Sequence, residues 1–148
     1  MLKKWKNKKL LKNEKGLTLV ELLAVIVILA IIAAIAVPAI GNIVNKSKDR
    51  AILAEASNIL AGAKIAYIDG ACVDNSCSNS ELAPFVDGIA LESGDLVVYD
   101  ETNKIWKITY SRLAKIKLEE YKTNLSGSTI SETDLNKNLT KAGVSTTK

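Results

Sequence analysis

The residues best placed for chemistry lie at one junction, Lys15-Gly16-Leu17-Thr18-Leu19-Val20-Glu21. A lysine-rich leader ends at Gly16, an apolar run starts at Leu17, and one carboxylate, Glu21, sits on the fifth residue of that run. The chemistry this order suits is peptide-bond hydrolysis performed on the chain, not by it. An ordinary secretory signal is cut after its apolar stretch, at small residues. A cut after Gly16 instead discards the charges and keeps the apolar stretch as the new N-terminus. It also frees an amine on Leu17, four residues from Glu21 and on the same face of a helix. An ammonium and a carboxylate so placed neutralise each other in apolar surroundings. A lone carboxylate inside a membrane segment is costly, ~2.5–3.5 kcal/mol for Asp at the bilayer centre and less near its edge. A plain anchor gains nothing from Glu21.

What the chain lacks narrows the rest. It has no histidine, which removes imidazole general bases, Ser-His and Cys-His nucleophile pairs and imidazole metal ligation. No glycine-rich phosphate loop, HExxH or GxSxG pattern occurs. The expectation is a chain that is not an enzyme, with no cofactor and no metal site. The only two cysteines, Cys72 and Cys77, enclose four residues. On the exported side of a membrane such a pair is expected to close a small disulfide loop, whereas zinc would need further ligands.

The elements that position these groups follow from patterning. Seven of the chain's 20 Lys+Arg but one of its 16 Asp+Glu fall in residues 1–16, so the net +4 belongs to the leader and the remainder is mildly acidic. From Leu22 to Ile40 only Leu, Ile, Val and Ala occur apart from Pro38. Counted from Leu17 the stretch is 24 residues, enough at ~1.5 Å per residue to cross a ~30 Å bilayer core. The lysines hold the leader in the cytoplasm and send the C-terminal part across. Beyond Ile40, Ile52, Leu53, Ala56, Ile59, Leu60, Ala63, Ala66 and Tyr67 form a helical stripe, with Asp49, Arg50, Glu55 and Lys64 mostly off it. One bent helix from Leu17 to Ile68 is expected, apolar all round in its first half and one-sided in its second. Pro38 lacks an N–H and crowds the Ala34 carbonyl, which is the source of the bend.

The junction resembles the class III signal of type IV prepilins and their relatives, the pseudopilins and competence pilins. The resemblance is carried by Gly16, Leu17, Thr18, Glu21 and the run to Ile40, with leucine at 17 where the family more often has phenylalanine. It spans residues 13–45, thins towards Ile68 and is absent as sequence beyond. It implies that a prepilin peptidase cuts between Gly16 and Leu17 and methylates the Leu17 amine. It also implies that Glu21 sets subunit register against a neighbour's amine, and that Pro38 is a flexibility element of the filament. The implied partners are copies of the same chain, a prepilin peptidase, an assembly ATPase and platform protein, and the membrane. The implied fold is α+β and pilin-like, a long bent N-terminal helix packed on a small antiparallel sheet. The implied role is a structural subunit of a type IV pilus, held in the cytoplasmic membrane as a precursor and extracellular once assembled, serving adhesion or motility. The alternatives are a pseudopilin or competence pilin of a secretion or DNA-uptake system, a membrane-anchored extracellular module, and a secreted domain cut near Ala34-Ile35-Ala36.

The chain thus divides into a leader (1–16), a transmembrane or filament-core half-helix (17–41), an amphipathic half-helix (42–68) and a small globular region (69–148). In the last, Asp69-Gly70 ends the helix and residues 80–86 suit a short helical turn. Residues 96–99 and 105–110 read as a β-hairpin joined by Asp100–Lys104. Residues 113–118 alternate apolar and basic side chains and suit a third strand, with a helix as the other option. Ser131 starts a helix that Gly143 stops, and the tail from Ser145 is expected to fray. Lys104, Lys107, Arg112, Lys115 and Lys117 have no acidic residue among them and are interleaved with Trp106 and Tyr110. Competence-type pilins bind DNA through such strips, although a lysine-rich sheet face over core aromatics is the plainer reading. Glu92, Asp95, Asp100 and Glu101 are similar to calcium-binding loops of some pseudopilins but lack EF-hand spacing.

Overall fold

The computed structural model describes residues 2–144, with side chains from Thr18 onward. The leader, the Gly16–Leu17 junction and the tail from Ser145 therefore lie outside the residues described in full. The elements are helix α1 (Leu2–Ile68), strand β1 (Ser76–Ser78), helix α2 (Asn79–Leu82), strands β2 (Leu96–Asp100), β3 (Ile105–Thr109) and β4 (Thr129–Ser131), and helix α3 (Glu132–Lys141). The chain divides into two compact units between Ile43 and Val44. The first is helix only. The helix is continuous through Pro38.

In the second unit, the stripe from Ile52 to Ala66 is buried at every position named above. The helix stops as expected: Gly70 adopts φ +74°, and Ala71 N–H donates to the Ala66 carbonyl at 2.9 Å. A left-handed residue just past a helix lets the chain turn while satisfying the last carbonyls. The sheet is an antiparallel meander in the order β1-β2-β3-β4. Its register aligns Cys77, Val97, Ile108 and Ile130 across the four strands, and all four are buried in the core shared with the α1 stripe. Two residues along, Tyr99 and Trp106 face the same way and meet Tyr67 of α1, with ring centroids 4.9–5.9 Å apart. The period-2 alternation of strands puts these residues on one face.

Cys72 and Cys77 are bonded, with Cα atoms 4.6 Å apart. The cross-link ties β1 to the end of α1, and by loop length it contributes about 2 kcal/mol. Between them Asp74 and Asn75 both take positive φ, and Ser76 N–H donates to the Val73 carbonyl at 3.0 Å. This is the backbone of a tight hairpin turn.

Two expectations change. Residues 113–118 are not a strand: Ser111–Lys115 forms a 3-10 turn, which brings Leu113 and Ile116 into the core together. Alternation along the sequence did not separate a period of two from a period of three in so short a run. The sheet gains instead two three-residue strands, Ser76–Ser78 and Thr129–Ser131, each with only its central residue buried. The other helix starts and stops occur where expected. Ser78 N–H and Oγ–H donate to the Glu81 carboxylate at 2.8 and 2.9 Å to start α2, and Ser131 Oγ caps α3 by accepting from Asp134 N–H.

Gly62 supplies a sharp test of helix packing. A Cβ there would lie 2.7 Å from the Phe85 carbonyl oxygen and 2.8 Å from Val86 Cγ2. Alanine is the better helix former by ~0.8–1.0 kcal/mol, but overpacking against backbone costs ~1–3 kcal/mol. Gly62→Ala is therefore expected to lower the thermal midpoint, and a rise would show that the 83–86 segment yields freely.

Candidate assembly surface and its anchors

From Leu19 to Ile43 every large apolar side chain of α1 is exposed, from 48% at Val27 to 70% at Ile35. It is the single helix among the described residues that is long and apolar enough to cross a membrane. A contiguous apolar surface of this extent marks a lipid or protein contact. Glu21 sits on this helix and is exposed. From Leu19 to Ile40 the only polar side chain is the Glu21 carboxylate.

The second half of α1 is held to the globular region by charged groups that the sequence reading left to solvent. Asp49 is 1% exposed. Its carboxylate accepts the backbone N–H of Lys117 at 3.1 and 3.2 Å and that of Leu118 at 2.8 Å. Arg50 Nε donates to the Ala142 carbonyl at the end of α3. Lys64 pairs with Glu132 at the start of α3. A signal for Asp49 was present: it precedes Ile52, Leu53 and Ala56 by three, four and seven residues, so it lies in phase with the buried stripe.

Glu55 holds the third anchor. Its carboxylate accepts from Arg112 Nη1 at 2.5 and 2.6 Å and from the Tyr110 hydroxyl at 2.8 Å. Burial, together with the hydrogen bond to Glu55, pushes the Tyr110 hydroxyl up to about 12. Folding therefore favours the protonated phenol. The stability this contributes is complete below the ordinary value of 10 and is lost as pH rises towards 12. In an alkaline titration followed by tyrosinate absorbance, Tyr110 is expected to ionise late, with loss of structure in the same window. Phe at 110 should remove that late step.

The five basic residues do not form one patch. Lys107 pairs with Asp100 at 3.2 Å and Arg112 with Glu55. Trp106 is half-buried and packs edge-on against Tyr67, and Tyr110 is fully buried. Lys104 and Lys107 stand near the Tyr67 end of α1, whereas Lys115 and Lys117 stand near Asp49. Tyr67 and Asp49 are themselves 18 positions apart on α1, a rise of ~27 Å along the helix. The acidic run is likewise committed. Asp95 is buried and accepts from the Glu92 and Ser111 N–H groups at 2.8 Å. Asp100 accepts from Thr102 N–H, and the hydrogen bonds it accepts from Asn103 Nδ2, Asn103 N–H and Lys107 lower its carboxyl to about 2. Among the described residues no group of three or more His, Cys, Asp or Glu is arranged to hold a metal.

The chain matches a family model described as the prokaryotic N-terminal methylation motif over residues 11–37. No curated protein and no solved structure matches it. The matched segment contains Gly16, Leu17 and Glu21 and most of the apolar run up to Val37. The chain thus carries the prokaryotic N-terminal methylation motif at the start of a long helix, the second half of which packs on a small four-stranded antiparallel sheet.

Proposed function

We propose that the protein is a structural subunit of a type IV pilus. The precursor is held in the cytoplasmic membrane by α1, leader inside and globular region outside. A prepilin peptidase cuts between Gly16 and Leu17 and methylates the new amine. An assembly ATPase and platform protein then move the subunit from lipid into a helical filament of identical copies. The observation that carries this reading is the all-round apolar half-helix with a single carboxylate near its start. A surface exposed on every side suits both lipid and a bundle of like helices, so the transfer keeps it out of water throughout. The globular region supports it by clamping the second half of α1 with Asp49, Arg50, Glu55 and Lys64.

The test is the intact mass and N-terminal sequence of the protein from its native cells. A chain starting at Leu17 and heavier by one methyl group is expected. An unprocessed Met1 start would make it an anchored extracellular module, and a start beyond Ala36 a secreted domain. Either overturns the filament reading.

A further inference from the structure

We propose that the globular region of the membrane-held precursor docks on the phosphates of anionic lipids through Lys46, Lys48, Lys115 and Lys117. The inference rests on the anchored reading above and adds a second contact with the bilayer. Its basis is a juxtaposition that the sequence hides. Lys46 and Lys48 follow Ile43 by three and five residues, so chain connectivity puts them within a few ångströms of where the apolar segment ends. Lys115 and Lys117 are distant in sequence. Asp49 brings them to the same end of the head by accepting the Lys117 and Leu118 N–H groups. Ile116 is buried between the two lysines and fixes the loop, while both lysines are exposed.

None of the four ammonium groups has an ion-pair partner among the described residues, unlike Lys64, Lys107, Lys122 and Lys137. Arg50 adds a further positive charge beside them. The acids nearby do not cancel the cluster. Asp49 is buried on backbone donors, and of the exposed Glu119 and Glu120 the first is paired with Lys122. Lysine suits the task because its long apolar stem lies along the interface while its head reaches phosphate. A duplex nucleic acid is the rival polyanion, but Tyr110 is fully buried and the half-buried Trp106 packs against Tyr67 and Tyr99.

The experiment uses the full-length chain in nanodiscs of phosphatidylcholine, with or without phosphatidylglycerol, and follows acetylation of each lysine by mass spectrometry. Lys46 and Lys48 lie near the bilayer by connectivity alone, so Lys115 and Lys117 decide the matter. Their acetylation is expected to slow about fivefold in the anionic discs. High salt should abolish the protection. Lys104, at the far end of α1, should react alike in both. A chain that does not co-elute with discs overturns the anchored reading and this proposal with it. A chain that stays in the discs with Lys115 and Lys117 equally reactive in both overturns the docking alone. Protection of these two by added duplex DNA, and not by anionic lipid, assigns the surface to nucleic acid and also overturns it.

Discussion

Glu21→Ala is expected to leave cleavage after Gly16 and membrane insertion intact while reducing surface filaments at least tenfold. In the filament proposed above, the Leu17 amine would be surrounded by the apolar half-helices of other copies. A buried ion without its partner carries an effective penalty of several kcal/mol, and every subunit added would incur it. Ten-fold corresponds to only ~1.4 kcal/mol, so even a partly hydrated amine suffices. In the precursor the same substitution is mild or favourable, because it removes a carboxylate from the edge of a membrane span. Processed subunit should therefore accumulate in the membrane. The measurement is the ratio of sheared filament to membrane-bound subunit by immunoblot, with Glu21→Gln beside it. Gln keeps shape and hydrogen bonding but not charge. If it assembles as well as the natural chain, hydrogen bonding alone sets the register; wild-type yield from Glu21→Ala would remove the charge pair from the mechanism altogether.

Asp49→Ala should have the largest effect on folding of the globular region. The substitution strands two backbone N–H groups, those of Lys117 and Leu118, which now donate to a carboxylate that is 1% exposed. Each buried donor left unsatisfied costs ~1–3 kcal/mol, and hydrogen bonds to charged groups are at the stronger end. A loss of about 3–5 kcal/mol follows, which for a domain of this size lowers the thermal midpoint by roughly 15 °C or more. Asp49→Asn keeps one acceptor but turns an amide NH₂ towards the same donors, and should lie between. Ser47→Ala, an exposed position two residues away, should stay within ~0.5 kcal/mol. Melting curves of the detergent-solubilised full chain would decide. A small change for Asp49→Ala would show that water replaces the carboxylate easily and that the 115–118 loop is not held by it.

The parts of this protein that were legible in its sequence are those governed by local order. The leader-glycine-apolar junction is a linear signal. The uncharged run states its own environment, since lipid or like helices are the only solvents that suit it. The stripe from Ile52 to Tyr67, the Asp69-Gly70 stop, the hairpin at 96–109 and the Ser131 cap each depend on residues within one or two turns of one another. The two short edge strands were not legible. Three residues with one apolar centre carry no period of their own, and they become strands because β2 and β3 present unpaired backbone to them. Nor was the 3-10 turn at 111–115, where Leu113 and Ile116 are drawn in by the same core.

The charged residues divide along the same line. Sequence spacing joined Lys104, Lys107, Arg112, Lys115 and Lys117 into one strip, because it records neighbours along the chain only. Tertiary structure assigns Lys107 to Asp100 and Arg112 to Glu55, and holds the loop carrying Lys115 and Lys117 against Asp49 of α1. By itself the sequence determined that the first half of α1 is an apolar segment that must leave water, since hydrophobic burial depends on composition within a local window. Only the folded head decided which charges are partnered and which are free, because electrostatic pairing depends on distances that a fold creates between residues far apart in the chain.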